Sequence, residues 1–162
     1  MSAHDALMSF SKKQLNKPRT NRKKNKAPEK EMVKQIISWS KSNGMDLDVI
    51  EASGGRNQFG NITVKSGYSD ISGNDKHGYA MYIEAKAAGK RNTLRANQYV
   101  FLLRKIKSGA FAVVADNVQS LSLYYYGWLE FKENGQHERA VKYLIENLYV
   151  PKQIRSSDGG LF

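Results

Sequence analysis

At 162 residues the chain has the length of a single domain and is long enough to bury a core. It is basic, with 26 lysines and arginines against 15 acids and a net charge of +11, and it contains no cysteine. A disulfide framework, a thiolate zinc site and a cysteine nucleophile are thereby excluded.

Residues 1–28 differ from the rest. They hold eight cations (Lys12, Lys13, Lys17, Arg19, Arg22, Lys23, Lys24 and Lys26) against one acid, Asp5, and so carry +7 of the net charge. Residues 11–27 have almost no bulky apolar side chain to offset the entropy of ordering, so this arm is expected to be mobile. A solvated tail, an address signal and an arm that follows phosphates all fit such a run. No apolar run approaches the ~18 residues of a membrane span, and the arm lacks the apolar stretch of a signal peptide. A soluble, cytoplasmic protein is expected, in the host cytoplasm if the source is viral.

Pro28 followed by Glu29 and Glu31 predicts a helix opening, with proline at its first position and acids where the dipole favours them. Met32, Val33, Ile36 and Ile37 recur at helical spacing until Gly44. Residues 47–52 read as a short strand and 53–67 as a long Gly, Asn and Ser loop, with a strand fragment at Ile62 to Val64. A second strand is expected over Tyr68–Ser72, a turn over Gly73–Gly78 and a strong third strand over Tyr79–Ala87. A helix capped by Asn92 or Thr93 should then run to about Ser108, with a short apolar strand over Ala110–Ala115. The order α-β-β-β-α-β predicts an α/β domain built on a mixed sheet. The aromatic segment Tyr124–Phe131 and a helix over His137–Leu148 should close the core or meet a dimer partner.

The third strand carries the chemistry. Side chains alternate across a strand, so Glu84 and Lys86 share one face while Met81, Ile83 and Ala85 take the other. A Glu and a Lys together in an apolar strand are costly unless paired or bound to something. Asp70 lies a hairpin's reach away, so two carboxylates and an ammonium can converge. Carboxylates are the ligands that Mg²⁺ or Mn²⁺ prefers. An ordinary Glu–Lys pair on a solvated face also fits the triplet. His4, His77 and His137 are dispersed, which argues against a histidine-metal site or a Ser–His–Asp hydrolase.

Ser69-Asp70, a short turn, then Ile83-Glu84-Ala85-Lys86 and a helix together resemble the PD-(D/E)xK nuclease superfamily. The chain is most similar within it to virus-type replication-repair (VRR-NUC) nucleases and then to archaeal Holliday-junction resolvases. Serine stands where the usual proline precedes the aspartate. The segment Gly67-Tyr68-Ser69-Asp70-Ile71 looks like the family's glycine-x-x-aspartate-aliphatic stretch, and Gln98 matches a glutamine near the metal. The resemblance covers about residues 27–116 and implies a restriction-endonuclease-like core at 29–116, with 117–162 as an extension.

It also implies roles. Asp70, Glu84 and the backbone carbonyl of Ala85 would hold Mg²⁺ or Mn²⁺, Lys86 would orient water or stabilise charge, and Gln98 would position Lys86 or the water. A glutamate on the first helix would support a second metal. Glu29 shares a face with Met32, Val33 and Ile36, whereas Glu31 points with Lys34 and Gln35 to water, so Glu29 is the candidate. The implied activity is metal-dependent DNA endonuclease cleavage, on branched DNA such as Holliday junctions, by a homodimer. A catalytically inactive nucleic-acid-binding module and a sequence-specific restriction or defence nuclease remain alternatives.

Arg22, Lys23 and Lys24 in the arm, Arg56 and Lys65 in the long loop, and Lys90, Arg91 and Arg95 after the motif are candidate phosphate contacts, with Arg104 and Lys105 further along the same helix. Tyr68 and Tyr82 are candidates for stacking on a nucleotide or for ordinary sheet packing. Each phosphate that the protein no longer neutralises should reduce the salt slope of DNA binding by about one unit. Deleting residues 1–27 is therefore expected to weaken binding and flatten its salt dependence while sparing cleavage at low salt. Affinity for one DNA across several salt concentrations checks this, and identical slopes would rule out phosphate contacts by the arm.

Overall fold

The computed structural model describes residues 27–50 and 67–155. The basic arm, most of the loop before the motif and the candidates Arg22, Lys23, Lys24, Arg56 and Lys65 lie outside the described residues. So does the strand fragment expected at Ile62 to Val64. Helix α1 spans Ala27–Ser42 and buries Met32, Ile36 and Ser40, one residue per turn on one stripe. Glu29 is half-exposed in its first turn and Glu31 is exposed. Gly44 takes a left-handed φ of 68°, and the Met45 N–H donates back to the Ser40 carbonyl.

Three antiparallel strands follow: β1 (Asp46–Val49), β2 (Ile71–Asn74) and β3 (Ala80–Ala85). Helix α2 (Ala96–Lys107) then carries the chain to β4 (Phe111–Ala115), which pairs with β3 in parallel. The sheet order is β1-β2-β3-β4, mixed as expected. Helices α3 (Val118–Glu133) and α4 (His137–Asn147) and the short α5 (Lys152–Arg155) complete the described chain. Among the described residues no helix is long and apolar enough to cross a membrane.

Alternation along β3 sorts the two faces of the sheet. Met81 pairs with Phe111, and on this face Phe111 meets Tyr125 and Trp128 of α3. Tyr82 pairs with Ala112 on the opposite face and meets Phe101 of α2. Sheet and helices thus make an α/β sandwich, with α1 and α3 on one side and α2 on the other. The aromatic segment expected over Tyr124–Phe131 falls inside α3, where Tyr125 and Trp128 are each 1% exposed and join the main core. All five residues of β4 are buried, as a strand covered on both faces requires.

The first strand spans Asp46–Val49 rather than 47–52 and the third ends at Ala85 rather than Ala87, and two further boundaries differ for a local reason. The second strand begins at Ile71 rather than Tyr68 and runs through Gly73 and Asn74. Its turn is organised instead by Asp75, a buried carboxylate whose Oδ1 accepts the His77 N–H at 2.9 Å and the Tyr79 N–H at 2.8 Å. Asp75 Oδ2 accepts the Tyr125 hydroxyl at 2.8 Å. Burial and this carboxylate raise the Tyr125 hydroxyl above its ordinary range, so it stays a donor. The helix after the motif starts at Ala96, later than a cap at Asn92 or Thr93 would place it. Arg91–Thr93 form a 3₁₀ turn, and the Gln98 side chain reaches back to accept the Arg95 N–H at 3.0 Å.

Gly73 pairs with Leu47 across β1 and β2. A Cβ built on it would run into the Asp46 carbonyl oxygen, a backbone atom that cannot move without parting the strands. Gly73→Ala is therefore expected to lower stability by roughly 2 kcal/mol or more. Urea unfolding monitored by tryptophan fluorescence checks this, and an unchanged midpoint would contradict the pairing.

Candidate functional site

The site is built where β2 begins and β3 ends. Asp70 precedes Ile71, and its main-chain carbonyl accepts the Ile50 N–H at 2.7 Å. Its carboxylate turns across the sheet, where Oδ2 accepts the Ala85 N–H at 2.9 Å. The next amide, Lys86 N–H, points the other way and donates to the Ala115 carbonyl of β4 at 2.8 Å. A side chain thus takes the β2-side amide at the end of β3, which is why Tyr68 and Ser69 stay outside the ladder. Among the described residues, no hydrogen bond is made to Asp70 Oδ1.

Gly67 lets the segment before Asp70 pass close to the first turn of α2. Its φ of 89° suits glycine, and a Cβ there would lie 2.9 Å from the Asn97 carbonyl oxygen. Ser69, just before Asp70, is 2% exposed, and its hydroxyl donates to the Ile71 carbonyl at 3.1 Å. Serine holds this bend by a local hydrogen bond.

Glu84, Lys86 and Gln98 form one buried cluster between β3 and α2, at 1%, 6% and 4% exposure. Lys86 Nζ lies 2.7 Å from Glu84 Oε1 and makes a longer contact of 3.5 Å with Gln98 Oε1. Gln98 Nε2 donates to the same Glu84 oxygen. Both partners converge on Oε1, while Oε2 is buried with no hydrogen-bond partner among the described residues. An unsatisfied carboxylate oxygen in a buried site is expensive and calls for a partner. Burial pushes the Glu84 carboxyl up to about 7, and the nearby Asp70 charge adds to the rise. The Lys86 and, more weakly, Arg95 cations oppose it.

The other sequence candidates fall into distinct places. Among the described residues no three carboxylate or imidazole groups converge to hold a metal ion, so Glu29 does not join Asp70 and Glu84 in such a group. Lys90 and Arg95 are exposed on the segment between the cluster and α2, and the Arg95 charge reaches Glu84. Arg91 is engaged elsewhere: it donates to the Tyr124 hydroxyl at 2.9 Å and the Asn147 carbonyl at 3.0 Å, with its guanidinium over the Tyr124 ring. It fastens the loop after the motif to α3 and α4. One acid has a role that no motif announced. Asp116, 9% exposed at the end of β4, accepts the Gly89 N–H at 3.1 Å and anchors the loop leaving Lys86. Its only signal in the sequence is a lone acid closing an all-apolar strand.

The donor set suits a hard divalent cation: two carboxylates, one with an unpartnered buried oxygen, and the Ala85 backbone beside them. Because the folded pKa of Glu84 is about 7 against an ordinary 4.5, the metal-free fold holds a proton there that the unfolded chain has released. Metal-free stability is therefore expected to fall as pH rises from about 4.5 to about 7. A bound cation must displace that proton. Mn²⁺ affinity, measured by calorimetry, is expected to weaken about tenfold from about pH 8 to about pH 6. An affinity independent of pH would show that Glu84 is not a ligand.

None of the family models, characterised proteins or solved structures with which the chain was compared matches it, so the site is read on its own geometry.

Proposed function

We propose that the protein is a metal-dependent DNA endonuclease with a restriction-endonuclease-like core, hydrolysing phosphodiester bonds with Asp70, Glu84 and Lys86. The observation that supports this most is the buried Glu84 carboxylate. One oxygen is held by Lys86 and Gln98, the other has no partner among the described residues, and the Asp70 charge acts on the same carboxylate. A purely structural Glu–Lys pair gains nothing from an orphaned oxygen or from a second carboxylate that raises its pKa.

Mg²⁺ or Mn²⁺ at this site would lower the pKa of a water and offset charge on the phosphate. Asp70 Oδ1, Glu84 Oε2 and the Ala85 carbonyl are the oxygens that would hold it. Lys86 has three donors, and Glu84 and Gln98 engage two of them. The third has no partner among the described residues and would serve a phosphoryl oxygen or the attacking water, where a fixed ammonium stabilises developing negative charge. Gln98 acts through Lys86 and Glu84 and is a positioning residue. Glu29 enters only as an outer carboxylate that could support a second cation. Lys90 and Arg95, exposed on the segment that follows the motif, fit phosphates flanking the scissile bond. Branched DNA as the substrate and a homodimer as the working form follow from the resemblance of the motif. A nucleic-acid-binding module without catalysis would have no use for this buried arrangement.

Asp70→Ala and Glu84→Ala are expected to reduce cleavage of DNA in Mg²⁺ to background while leaving DNA binding in place. Lys86→Ala should do the same to cleavage yet retain Mn²⁺ binding, and Gln98→Leu should reduce cleavage by roughly 10–100-fold. Matched duplex, flap, single-stranded and four-way-junction DNA provide the assay. Near wild-type cutting by any of the first three variants would overturn the assignment.

A further inference from the structure

A cleft of about 660 Å³ opens beside the candidate site, lined by Tyr68, Asn97, Val100, Phe101, Arg104 and Lys105. Its volume lies in the general range of small-molecule clefts. Two features tie it to the site. Tyr68 stands two residues before Asp70. Tyr82, behind the cleft, stands two residues before Glu84 on the same face of β3, roughly 6.6 Å along the strand.

The walls are aromatic and cationic together. Tyr68 packs on Phe101 with ring centroids 4.6 Å apart and meets Tyr82 edge-on at 6.3 Å. Lys105 Nζ lies 4.5 Å from the Tyr82 ring centre, and the Arg104 guanidinium lies 5.7 Å from that of Phe101. Val100, on the cleft's outer wall, is 55% exposed. Helix α2 has no acid anywhere along its 12 residues, so nothing on this wall repels an anion.

We infer that this cleft receives an unpaired nucleotide of the DNA, whose base stacks against Tyr68 and Val100 while Arg104 and Lys105 meet its phosphates. A base inside a duplex has both faces covered by its neighbours, whereas an unpaired one offers a π-face to an aromatic wall. Clustered cations alone would suit any polyanion, but an aromatic cleft among them selects a strand with a free base. The inference rests on the nuclease reading and narrows it, assigning DNA with a single-stranded stretch next to the cleavage point as the substrate class.

The test uses the full chain in EDTA, so that binding is separated from cutting. Fluorescence anisotropy compares a short oligodeoxythymidylate with the duplex of the same length. Wild type is expected to prefer the single strand. Val100→Glu, at an exposed position that leaves the core intact, should weaken single-strand binding about tenfold and duplex binding far less. Tyr68→Phe should retain the preference. Photocrosslinking of a bromodeoxyuridine oligonucleotide should map to Tyr68. No preference in the wild type, equal losses for both DNAs in Val100→Glu, or a crosslink confined to other residues would each overturn the inference. An intact preference in a protein that cuts no DNA with Mg²⁺ or Mn²⁺ would overturn the nuclease reading alone, and normal cutting without the preference would overturn the cleft alone.

Discussion

The carboxylate of Glu84 is the constraint around which the rest of the domain is arranged. It lies under α2 at 1% exposure, with a lysine and a glutamine on one oxygen and no partner among the described residues on the other. Removing such a group from water costs several kcal/mol, and one cation recovers it only with good geometry and all lone pairs satisfied. Here they are not all satisfied, and Asp70 adds a second negative charge that raises the Glu84 carboxyl further. A core selected for stability alone would hold an apolar side chain at this position. Keeping an acid in this state makes sense if something positively charged completes it.

The fold secures this arrangement through short links. Asp70 is fixed at both ends, by its carbonyl to Ile50 and by its carboxylate to Ala85, so the start of β2 and the end of β3 hold each other in place. Gln98 ties the first turn of α2 to the same cluster by accepting the Arg95 N–H while donating to Glu84. The parallel crossover from β3 through α2 to β4 places that helix end over the strand end. Behind the sheet, the Asp75–Tyr125 bond joins the β2–β3 turn to α3. The C-terminal helices therefore brace the hairpin that carries the site, although they contribute no candidate ligand.

Much of this is legible in the residues because it follows from period. The two-residue alternation of β3 separates Glu84 and Lys86 from Met81 and Ile83, and the stripe through Leu94, Gln98 and Leu102 turns Gln98 to the sheet. Strand ends are less legible because side chains decide them. Nothing in a local pattern says that Asp70 will take the amide of Ala85, or that Asp75 will hold the turn that Gly73-Asn74 suggests. Arg91 shows the same limit: its charge reads as a phosphate contact, but tertiary packing commits it to Tyr124 and Asn147. Asp116 is silent for the same reason, since its partner Gly89 lies 27 residues away.

Locating the cation tests the central claim most directly. Crystals of the full chain grown with Mn²⁺, with diffraction collected at the manganese absorption edge, would show where it binds. The account predicts an anomalous peak bonded to the Asp70 carboxylate, to Glu84 Oε2 and to the Ala85 carbonyl, with Lys86 and Gln98 still on Glu84 Oε1. A site free of manganese while Lys86 alone neutralises Glu84, or manganese bound only at other acids, would contradict it.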